Sequence, residues 1–504
     1  MPYGPLLTRQ YGPNPKGSKL TIQEMDDNLL YLSESIASSG GDAFPYTGSA
    51  QITGSLGVTG SINGLNLGIG AGATTAYSIA IGTNALSNNT TGYNNTALGH
   101  LALQNNNTGY SNTGLGYGAL RSTTTGNYNT AVGSAALFNN SVGNYNVALG
   151  GAALFNNSVG NYNVALGGAA LFNNTSGSYN VALGNQALPN NTTGNSNVAL
   201  GRDALKYNTT GNFNIAQGFA ALLYNTTGIY NVALGTEALQ SNTTGNSNIA
   251  LGQRALFYNT EGNQNVALGH YSLYQNILGS NNVALGQNAL NQNTTGTNNI
   301  ALGQNALLYN TTGAYNVALG KGTLYSNTTG YNNVALGHIA LHSNTTGAQN
   351  VALGSGTLYN NTTGYQNVTL GSNALYYNTT GNQNVALGQN TLYSNTTGNY
   401  NIALGVDALR YNTTGNYNVA LGWNALFSNT TGSFNTGLGY NIQSGDFSGS
   451  LVLGASSTAT ANGQLALGSS THPLGPVVSE VSASSTHTFA INLNGNTYRL
   501  LMIQ

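Results

Sequence analysis

Side chains able to carry out acid–base chemistry are scarce in this 504-residue sequence. The repetitive middle of the chain holds four acids, Asp203, Glu237, Glu261 and Asp407. Asp203 and Glu237 occupy equivalent places two repeats apart, which corresponds to roughly 10 Å in a stack of strands. That separation is near the upper end for the carboxylate pair of an inverting glycosidase, and no other residue supports such a site. We therefore expect solvent-facing acids and no enzymatic activity.

Metal and nucleotide sites have equally little support. His338 and His342 are four residues apart, a spacing that places two ligands on one face of a helix, but no third ligand is near. His472 and His487 would each form a three-fold ring only in a trimer, and no H-x-H pair supports such a site. No phosphate-binding G-x-x-x-x-G-K-[ST] motif occurs. The sequence predicts no catalytic residue, no metal ion and no cofactor.

Tyrosine is the aromatic side chain that recurs most often, with 32 copies. Several precede the Asn of a repeated segment, and three of these represent candidate glycan-facing residues: Tyr162, Tyr400 and Tyr417. An exposed row of aromatic rings could stack on the sugar rings of a bacterial surface glycan. The alternative is a ladder of rings that stabilises the stack of repeats, and we favour this alternative.

These side chains belong to a 17-residue repeat that sets their positions. A glycine closes a V-A-L-G-like segment at every seventeenth residue from Gly82 to Gly439, which makes 21 repeats without an insertion or deletion. The consensus is G-x-x-A-L-x-x-N-T-T-G-x-x-N-V-A-L, numbered below from position 1 to position 17. Asn is present at position 14 in all 21 repeats and at position 8 in 20, with Thr123 the exception. So strict a period indicates a solenoid in which each repeat is one coil.

The predicted fold is an all-β repeat solenoid, a parallel β-roll of 21 coils. The N-V-A-L segment alternates, so it suits a short strand that pairs in parallel with the same strand of the next coil. Val419 and Leu421 are expected to fill the core, with the intervening Ala on the other face. The A-L-x-x-N half fits either an irregular strand or turn, or a single helical turn. At about 4.8 Å per coil, the 21 coils make a shaft of roughly 100 Å.

Two glycines and two asparagines in each coil are predicted to have structural roles. The glycines at positions 1 and 11 are expected to turn the backbone with positive φ, and the Asn columns to form ladders from coil to coil. Representative ladder residues are Asn95, Asn163, Asn231, Asn299, Asn367 and Asn418. Representative corner glycines are Gly82, Gly150, Gly252, Gly337, Gly415 and Gly422.

Both ends of the chain depart from the repeat. Residues 20–38 are predicted to form a short coiled-coil helix, whose apolar residues follow the 3-4 spacing. The seam of this helix consists of Ile22, Met25, Leu29, Leu32 and Ile36. After the shaft, a shorter, 14-residue step separates Gly454 from Gly468. The ending "HTFAINLNGNTYRLLMIQ" is predicted to be a hairpin that turns at Asn-Gly and caps the open end of the stack.

The predicted organisation has five parts, which follow in chain order. They are an N-terminal attachment segment and helix (1–39), a β-rich linker (40–69), the 17-residue-repeat shaft (70–440), 14-residue coils (441–468) and a C-terminal β cap or tip (469–504).

Composition excludes several classes of function. Only 4% of the residues are charged and the net charge is −1, whereas nucleic-acid binding needs clustered Lys and Arg. There is no cysteine for a disulfide or a thiolate-bound metal. No run of about 18 apolar residues predicts a membrane-spanning helix, and the first residues lack the apolar core of a secretory signal.

The stretch "LVLGASSTATANGQLALGSS", with its step of 14, resembles the head repeat of YadA-like trimeric autotransporter adhesins, which is built around an "NSVAIG"-type segment. The 17-residue repeat looks like the same coil with a longer "NTTG" turn, and the resemblance covers roughly residues 67–468. It implies a left-handed parallel β-roll made by three chains. The segment "KGSKLTIQEMDDNLLYL" is similar to one near the start of bacteriophage tail-fibre proteins. The ending "NGNTYRLLMIQ" is similar to the termini of phage virion proteins.

These resemblances imply a homotrimeric phage tail fibre, a rigid spacer that presents a host-binding tip. The sequence lacks the signal peptide and membrane anchor that autotransporters need, which favours a virion protein assembled in the host cytoplasm and extracellular after lysis. Expected partners are two further copies of the chain, tail or baseplate proteins at the N-terminus, and a host-surface glycan or protein at the C-terminal end. No partner nucleic acid and no membrane insertion are expected. The alternatives are a bacterial surface adhesin of the autotransporter type and an ice-binding β-solenoid.

Overall fold

The structure, a computed structural model, describes residues 77–471, together with the backbone of residues 61–62, 65–66, 487–493 and 496–502. The described ranges contain strands and turns and no helix. The strands, in chain order, are β1 Ser61–Ile62, β2 Leu65–Asn66, β3 Ile79–Ile81, β4 Thr96–Leu98, β5 Thr113–Leu115, β6 Thr130–Val132, β7 Val147–Leu149, β8 Val164–Leu166, β9 Val181–Leu183, β10 Val198–Leu200, β11 Ile215–Gln217, β12 Val232–Leu234, β13 Ile249–Leu251, β14 Val266–Leu268, β15 Val283–Leu285, β16 Ile300–Leu302, β17 Val317–Leu319, β18 Val334–Leu336, β19 Val351–Leu353, β20 Val368–Leu370, β21 Val385–Leu387, β22 Ile402–Leu404, β23 Val419–Leu421, β24 Thr436–Leu438, β25 Leu451–Leu453, β26 Leu465–Leu467, β27 His487–Leu493 and β28 Asn496–Met502.

Strands β3 to β26 form one parallel ladder in which each strand pairs with the next one along the chain. The pairing stays in register, so Val198 of β10 lies beside Ile215 of β11, one repeat later. The period of the repeat is kept from β3 to β24. It shortens for β25 and β26, where Thr436 pairs with Leu451 and Leu451 with Leu465. At about 4.8 Å per step the ladder is about 110 Å long, so its two ends cannot meet. The predicted all-β repeat solenoid is confirmed.

The half of each coil from position 1 to position 8 consists of consecutive hydrogen-bonded turns. In one coil the Ala408 N–H donates to Gly405 O at 3.3 Å, and the Asn412 N–H donates to Leu409 O at 3.1 Å. The Leu409 N–H points along the stack and donates to Ala425 O of the next coil at 2.9 Å. Of the two conformations that the sequence left open, this half therefore takes irregular turns, and these turns bond to the neighbouring coils.

The core contains small residues from the strand and leucine from the turns, which is the reverse of the predicted orientation. Ala420 of β23 is fully buried, whereas Val419 and Leu421 on either side of it face outward and are only half-buried. The reason is the narrow interior of the coil, where the strand packs directly against the leucine at position 5. At Gly114, which takes the place of the strand alanine, an added Cβ would lie 3.4 Å from Leu103 Cγ. Leucine from the turn side fills the space, so only a small side chain fits opposite it.

Many residues other than glycine have a left-handed backbone conformation in the coils. The buried leucines at position 5 have φ values near +50°, as at Leu409, and Tyr417, at position 13, has φ +56°. A left-handed backbone conformation costs an L-residue roughly 1–2 kcal/mol. Such conformations persist where the surrounding contacts hold the backbone in place. Here the coil-to-coil hydrogen bonds and the packing of the buried leucine hold it.

Outside the solenoid, β1 pairs with β2 and β27 pairs with β28, both in antiparallel fashion. The β27–β28 register opposes Leu493 to Asn496, as the predicted terminal hairpin requires. The predicted coiled-coil helix lies outside the described residues, and with it the whole seam: Ile22, Met25, Leu29, Leu32 and Ile36.

Candidate functional site

Three of the four shaft acids form ion pairs with nearby cations. Lys206 Nζ lies 2.9 Å from Asp203 Oδ1, and Arg410 Nη1 lies 2.8 Å from Asp407 Oδ1. Arg254 Nε lies 2.5 Å from Glu237 Oε2 in the adjacent coil. Because Asp203 and Glu237 each have their own cation, the structure does not bring them together as a pair of free carboxylates.

One histidine of the pair, His342, is part of an aromatic column. The His342 ring is stacked between Tyr325 and Tyr359, with centroid distances of 4.9 Å on both sides. Burial, with a smaller contribution from the charge of His338, lowers the pKa of His342. Among the residues that the structure describes, no group of three or more His, Cys, Asp and Glu side chains could hold a metal ion. His472 lies outside the described residues, and only the backbone of His487 is described.

The asparagines at position 14 form a buried ladder that bonds each coil to the next. Asn231 Oδ1 accepts the backbone N–H of Asn248 at 3.0 Å, and Asn231 Nδ2 donates to Gly245 O at 2.8 Å. One side chain thereby satisfies two backbone groups of the following coil. The same two bonds recur at the other representative residues, Asn95, Asn163, Asn299, Asn367 and Asn418.

A second buried ladder runs through the asparagines at position 8. Asn412 Nδ2 donates to Asn395 Oδ1 at 2.8 Å and to Gly415 O at 3.0 Å, which closes the N-T-T-G turn. The ladder has one gap, where Thr123 replaces Asn. There, Asn106 Oδ1 and Thr123 Oγ1 are buried without a hydrogen-bond partner among the described residues.

The two glycine columns are required for different reasons. The glycines at position 1 have left-handed φ values between +123° and +143°. These include Gly82, Gly150, Gly252, Gly337 and Gly422. The prediction of positive φ is wrong for Gly415, which does not have a left-handed backbone. At that position a side chain is excluded by close approach, because an added Cβ would lie 2.3 Å from Gly432 O and 2.4 Å from Asn412 Oδ1.

Most of the aromatic side chains at position 13 stack on one another along the solenoid. Tyr162 lies between Tyr145 and Tyr179, with centroid distances of 4.9 and 5.1 Å. Tyr417 likewise lies between Tyr400 and Phe434, at 4.7 and 5.1 Å. The ring faces of Tyr162 and Tyr417 are therefore covered by neighbouring rings, and Tyr400 has one face covered. This geometry is the ring ladder, and it leaves mainly ring edges for a ligand.

The outward side chains of the strands form what we call the aliphatic strip, defined as positions 15 and 17 of β3 to β24. Position 15 is Val, Ile or Thr, and position 17 is aliphatic in every strand except for Gln217. Many of these side chains are well exposed, including Ile79, Leu336 and Leu370. With a length of about 100 Å and a width of roughly 10 Å, the strip covers about 1,000 Å². The largest apolar patch on a typical monomer is about 300–600 Å².

Sequence reasoning missed this strip because alternation alone does not say which face is inside. One signal could have found it. The middle residue of the strand is Ala in most coils, and Gly or Thr in the others, for example Gly114, Thr369 and Gly437. A column restricted to small residues beside two bulky columns is typical of a position that packs closely against another layer.

The two threonines of N-T-T-G have different environments. The hydroxyls at position 9 bond along the stack, as where Thr379 Oγ1 donates to Thr396 O at 3.0 Å. The threonines at position 10 are exposed, and in the described coils their hydroxyls make no hydrogen bond to the protein. A single row of free hydroxyls, nine coils long from Thr295 to Thr431, therefore lies on the surface.

No protein-family model matches the chain, and no curated protein matches it either. In the part of the chain that the structure describes, no helix is long and apolar enough to cross a lipid bilayer.

Proposed function

We propose that this chain is the structural fibre protein of a bacteriophage virion, a homotrimeric tail fibre whose solenoid is a rigid spacer. The observation that carries this proposal is the unbroken in-register ladder of β3 to β26. A ladder of this kind extends by about 4.8 Å for each coil. The number of repeats therefore sets the reach of the fibre, and a protein selected for reach needs no cleft with converging catalytic groups.

Rigidity follows from the way in which each coil bonds to its neighbours. Strand pairing, the two asparagine ladders and the hydroxyls at position 9 all connect consecutive coils. The buried leucines and alanines add a continuous apolar core along the axis. Because these contacts lie on every side of the coil, bending would break several of them at once. A weakly charged shaft with this construction suits a mechanical spacer.

The aliphatic strip supports self-association of three parallel copies. A stable interface buries about 800 Å² on each partner, and the strip offers about 1,000 Å² in total, which a chain in a trimer shares between its two neighbours. Its side chains repeat at the spacing of the coils, so a partner with the same coil spacing can match it along its entire length. A second and a third copy of this chain meet that requirement. The side chains of the strip carry no charge that would oppose their approach.

The remaining parts of the proposal come from the resemblances. The N-terminal segment would attach to tail or baseplate proteins, and the C-terminal region would contact a host-surface glycan or protein. Three copies per fibre and several fibres per particle would raise the overall avidity of weak individual contacts.

The experiment that tests the trimer measures mass in solution by analytical ultracentrifugation and shape by negative-stain electron microscopy. We expect three times the chain mass of 51.7 kDa and a rod with a straight section of about 110 Å. The substitutions Val334→Lys and Leu336→Lys in the aliphatic strip should release monomers with an unchanged circular dichroism spectrum. The matched control Thr329→Lys changes an exposed residue outside the strip and should stay trimeric. A monomeric native protein, or a control that dissociates equally, would remove the trimer.

Location distinguishes a tail fibre from its first alternative. Antibodies against the chain should label the tails of phage particles in immunogold micrographs, whereas labelling of the bacterial envelope would replace the fibre with a surface adhesin. The ice-binding alternative is favoured only by the row of free hydroxyls at position 10. Thermal hysteresis in solutions of the purified protein would support that alternative, and its absence would exclude it.

A further inference from the structure

A shallow groove crosses four consecutive coils near the C-terminal end of the shaft. It has a volume of about 500 Å³ and is lined by the side chains at positions 10 and 12, from Thr363 to Asn416. This volume is within the range of about 300–1,000 Å³ that is typical of small-ligand sites. Along the axis the groove spans about 14 Å, which is three coil spacings. Its length and openness suit an extended chain molecule better than a compact ligand.

The groove contains polar groups that the fold does not use. Four hydroxyls at position 10 make no hydrogen bond to the protein in the described coils, namely those of Thr363, Thr380, Thr397 and Thr414. The Asn382 Nδ2 group likewise has no acceptor among the described residues, although Asn382 Oδ1 accepts the Tyr365 N–H at 2.8 Å. Asn399 and Asn416, the next two asparagines at position 12, differ from Asn382 because their Nδ2 groups donate to backbone carbonyls.

An aromatic ring borders the same groove. Tyr365 is 43% exposed, and no aromatic ring in the described part of the chain stacks on it. In this respect Tyr365 differs from Tyr417, whose two faces are covered by Tyr400 and Phe434. The neighbouring coils have Ala348 and Asn382 at the position of Tyr365, so no ring from an adjacent coil covers it and part of its surface is open to a ligand.

A second groove in the shaft provides an internal contrast. It has a volume of about 790 Å³ and is lined by asparagines and hydroxyl residues next to Tyr207. Its polar groups are already used, because Asn156 Nδ2 donates to Asn173 Oδ1 at 3.1 Å and Ser158 Oγ donates to Thr175 O at 3.0 Å. Tyr207 also has one face stacked on Tyr224 at 5.3 Å. Similar shape therefore does not imply similar binding capacity.

We propose that the groove beside Tyr365 binds a neutral linear oligosaccharide along the axis of the solenoid. A free aromatic face packs against the C–H face of a sugar ring, and the row of threonine hydroxyls exchanges hydrogen bonds with successive sugar hydroxyls. No residue that lines the groove is charged, so nothing there compensates the charge of an acidic glycan. The site is open to solvent, and its affinity for a single oligosaccharide is correspondingly weak.

The groove lies within one chain, so this inference does not depend on the trimer or on the virion assignment. It adds a lateral binding site on the shaft to the tip that the proposed function assigns to the C-terminal region. A fibre with such a site could bind along a surface polysaccharide before its end reaches a receptor.

The test is saturation-transfer-difference NMR and isothermal titration calorimetry on the full chain. The probes are maltohexaose, cellohexaose and laminarihexaose as neutral oligosaccharides, and hexagalacturonate as the acidic counterpart. We expect at least one neutral probe to bind in the millimolar to high-micromolar range. Tyr365→Ala should weaken binding by about tenfold. Thr380→Val and Thr397→Val, which remove only a hydroxyl, should each weaken it by about two- to tenfold.

The matched control is Tyr331→Ala, because Tyr331 occupies the same position two coils earlier, is similarly exposed and does not line the groove. Its affinity should equal that of the native protein. The proposal is overturned if no neutral probe binds, if hexagalacturonate binds more tightly than all neutral probes, or if Tyr331→Ala and Tyr365→Ala weaken binding equally. The mass and electron-microscopy measurements described above report on the fibre separately, so either proposal can fail alone.

Discussion

The substitution Thr123→Asn should stabilise the protein, because it fills the one gap in the buried ladder at position 8. The structure leaves Asn106 Oδ1 and Thr123 Oγ1 without hydrogen-bond partners inside the described solenoid. Asn and Thr have nearly the same volume, and position 8 accommodates Asn in the other 20 repeats. The new side chain would donate to Asn106 and accept from Asn140, as its equivalents do in other coils.

The expected gain in stability can be estimated from an intact part of the ladder. Asn225 Nδ2 donates to Asn208 Oδ1 at 2.7 Å and to Gly228 O at 3.0 Å. Leaving a buried polar atom unsatisfied costs about 1–3 kcal/mol, and a hydrogen bond contributes about 1 kcal/mol net. Restoring the ladder should therefore raise the local free energy of unfolding by about 2 kcal/mol.

Native-state hydrogen exchange is the appropriate assay, because the stability of a solenoid is approximately a sum of terms between neighbouring coils. A gain of about 2 kcal/mol slows exchange through local opening by about thirtyfold. The amides to follow are those of Leu103 and Leu120, whose N–H groups bond to the next coil. As the matched control, Asn225→Thr introduces the same gap elsewhere and should speed exchange around residue 225 by a similar factor.

Unchanged or faster exchange of Leu103 and Leu120 in Thr123→Asn would contradict this prediction. An Asn225→Thr variant with unchanged exchange would contradict it as well, since that result would mean that the buried ladder contributes nothing to the pairing of coils.

Three further predictions concern the corner glycines, the core and the end of the shaft. Gly150→Ala should destabilise its coil by about 3 kcal/mol or more, because φ is +136° and an added Cβ would lie 2.6 Å from Gly167 O. Its neighbour Gly151→Ala meets nothing within 4 Å and should change stability by less than about 0.5 kcal/mol, both measured by hydrogen exchange. Ala250→Leu should disrupt the coil by overpacking, at a cost of about 1–3 kcal/mol. Leu251→Ala on the outer face should leave the circular dichroism spectrum of a folded coil and reduce only self-association. Equal losses of stability in the two variants would contradict the observed orientation of the strand. Hydrogen bonds from the Thr430 hydroxyl and from the N–H groups of Thr431 and Thr430 lower the pKa of Asp446 below its usual value. This contribution to stability is present above the unfolded pKa of about 3.9 and is lost as the pH falls through the folded pKa. Limited proteolysis near residue 446 should therefore increase below about pH 4 in the native protein. The Asp446→Asn variant should be cleaved readily at neutral pH as well.

The architecture could be predicted from sequence because a strict period is itself a structural constraint. A glycine recurs at every seventeenth residue from Gly82 to Gly439. Stacked coils of equal length are the arrangement that places all of these repeats in equivalent environments. One strand per coil, parallel pairing and in-register contacts between identical positions follow from that equivalence. The asparagine columns could also be identified as ladder positions, since identical amides at one-coil spacing can bond to each other or to the adjacent backbone.

The candidate surfaces were less accessible to sequence reasoning. Tyr162 and Tyr365 are both tyrosines near the same corner of a coil, yet Tyr162 is covered by rings on both faces and Tyr365 is not. The difference depends on which residues occupy the same position one coil earlier and one coil later. Whether an amide such as that of Asn382 is free also depends on distances of a few tenths of an ångström, which composition and spacing do not determine.

The sequence by itself determined the period, the number of coils, the strand segment and the columns that join one coil to the next, because all of these follow from repetition. Only the tertiary structure decided which face of the strand is inside. Alternation makes Val419 and Leu421 equivalent, but it does not distinguish a core of large strand residues from one of small ones. The deciding fact is the width of the coil, where Leu409 and its equivalents from the opposite half already fill the interior. The strand must therefore turn its alanine inward and expose its larger side chains along the aliphatic strip.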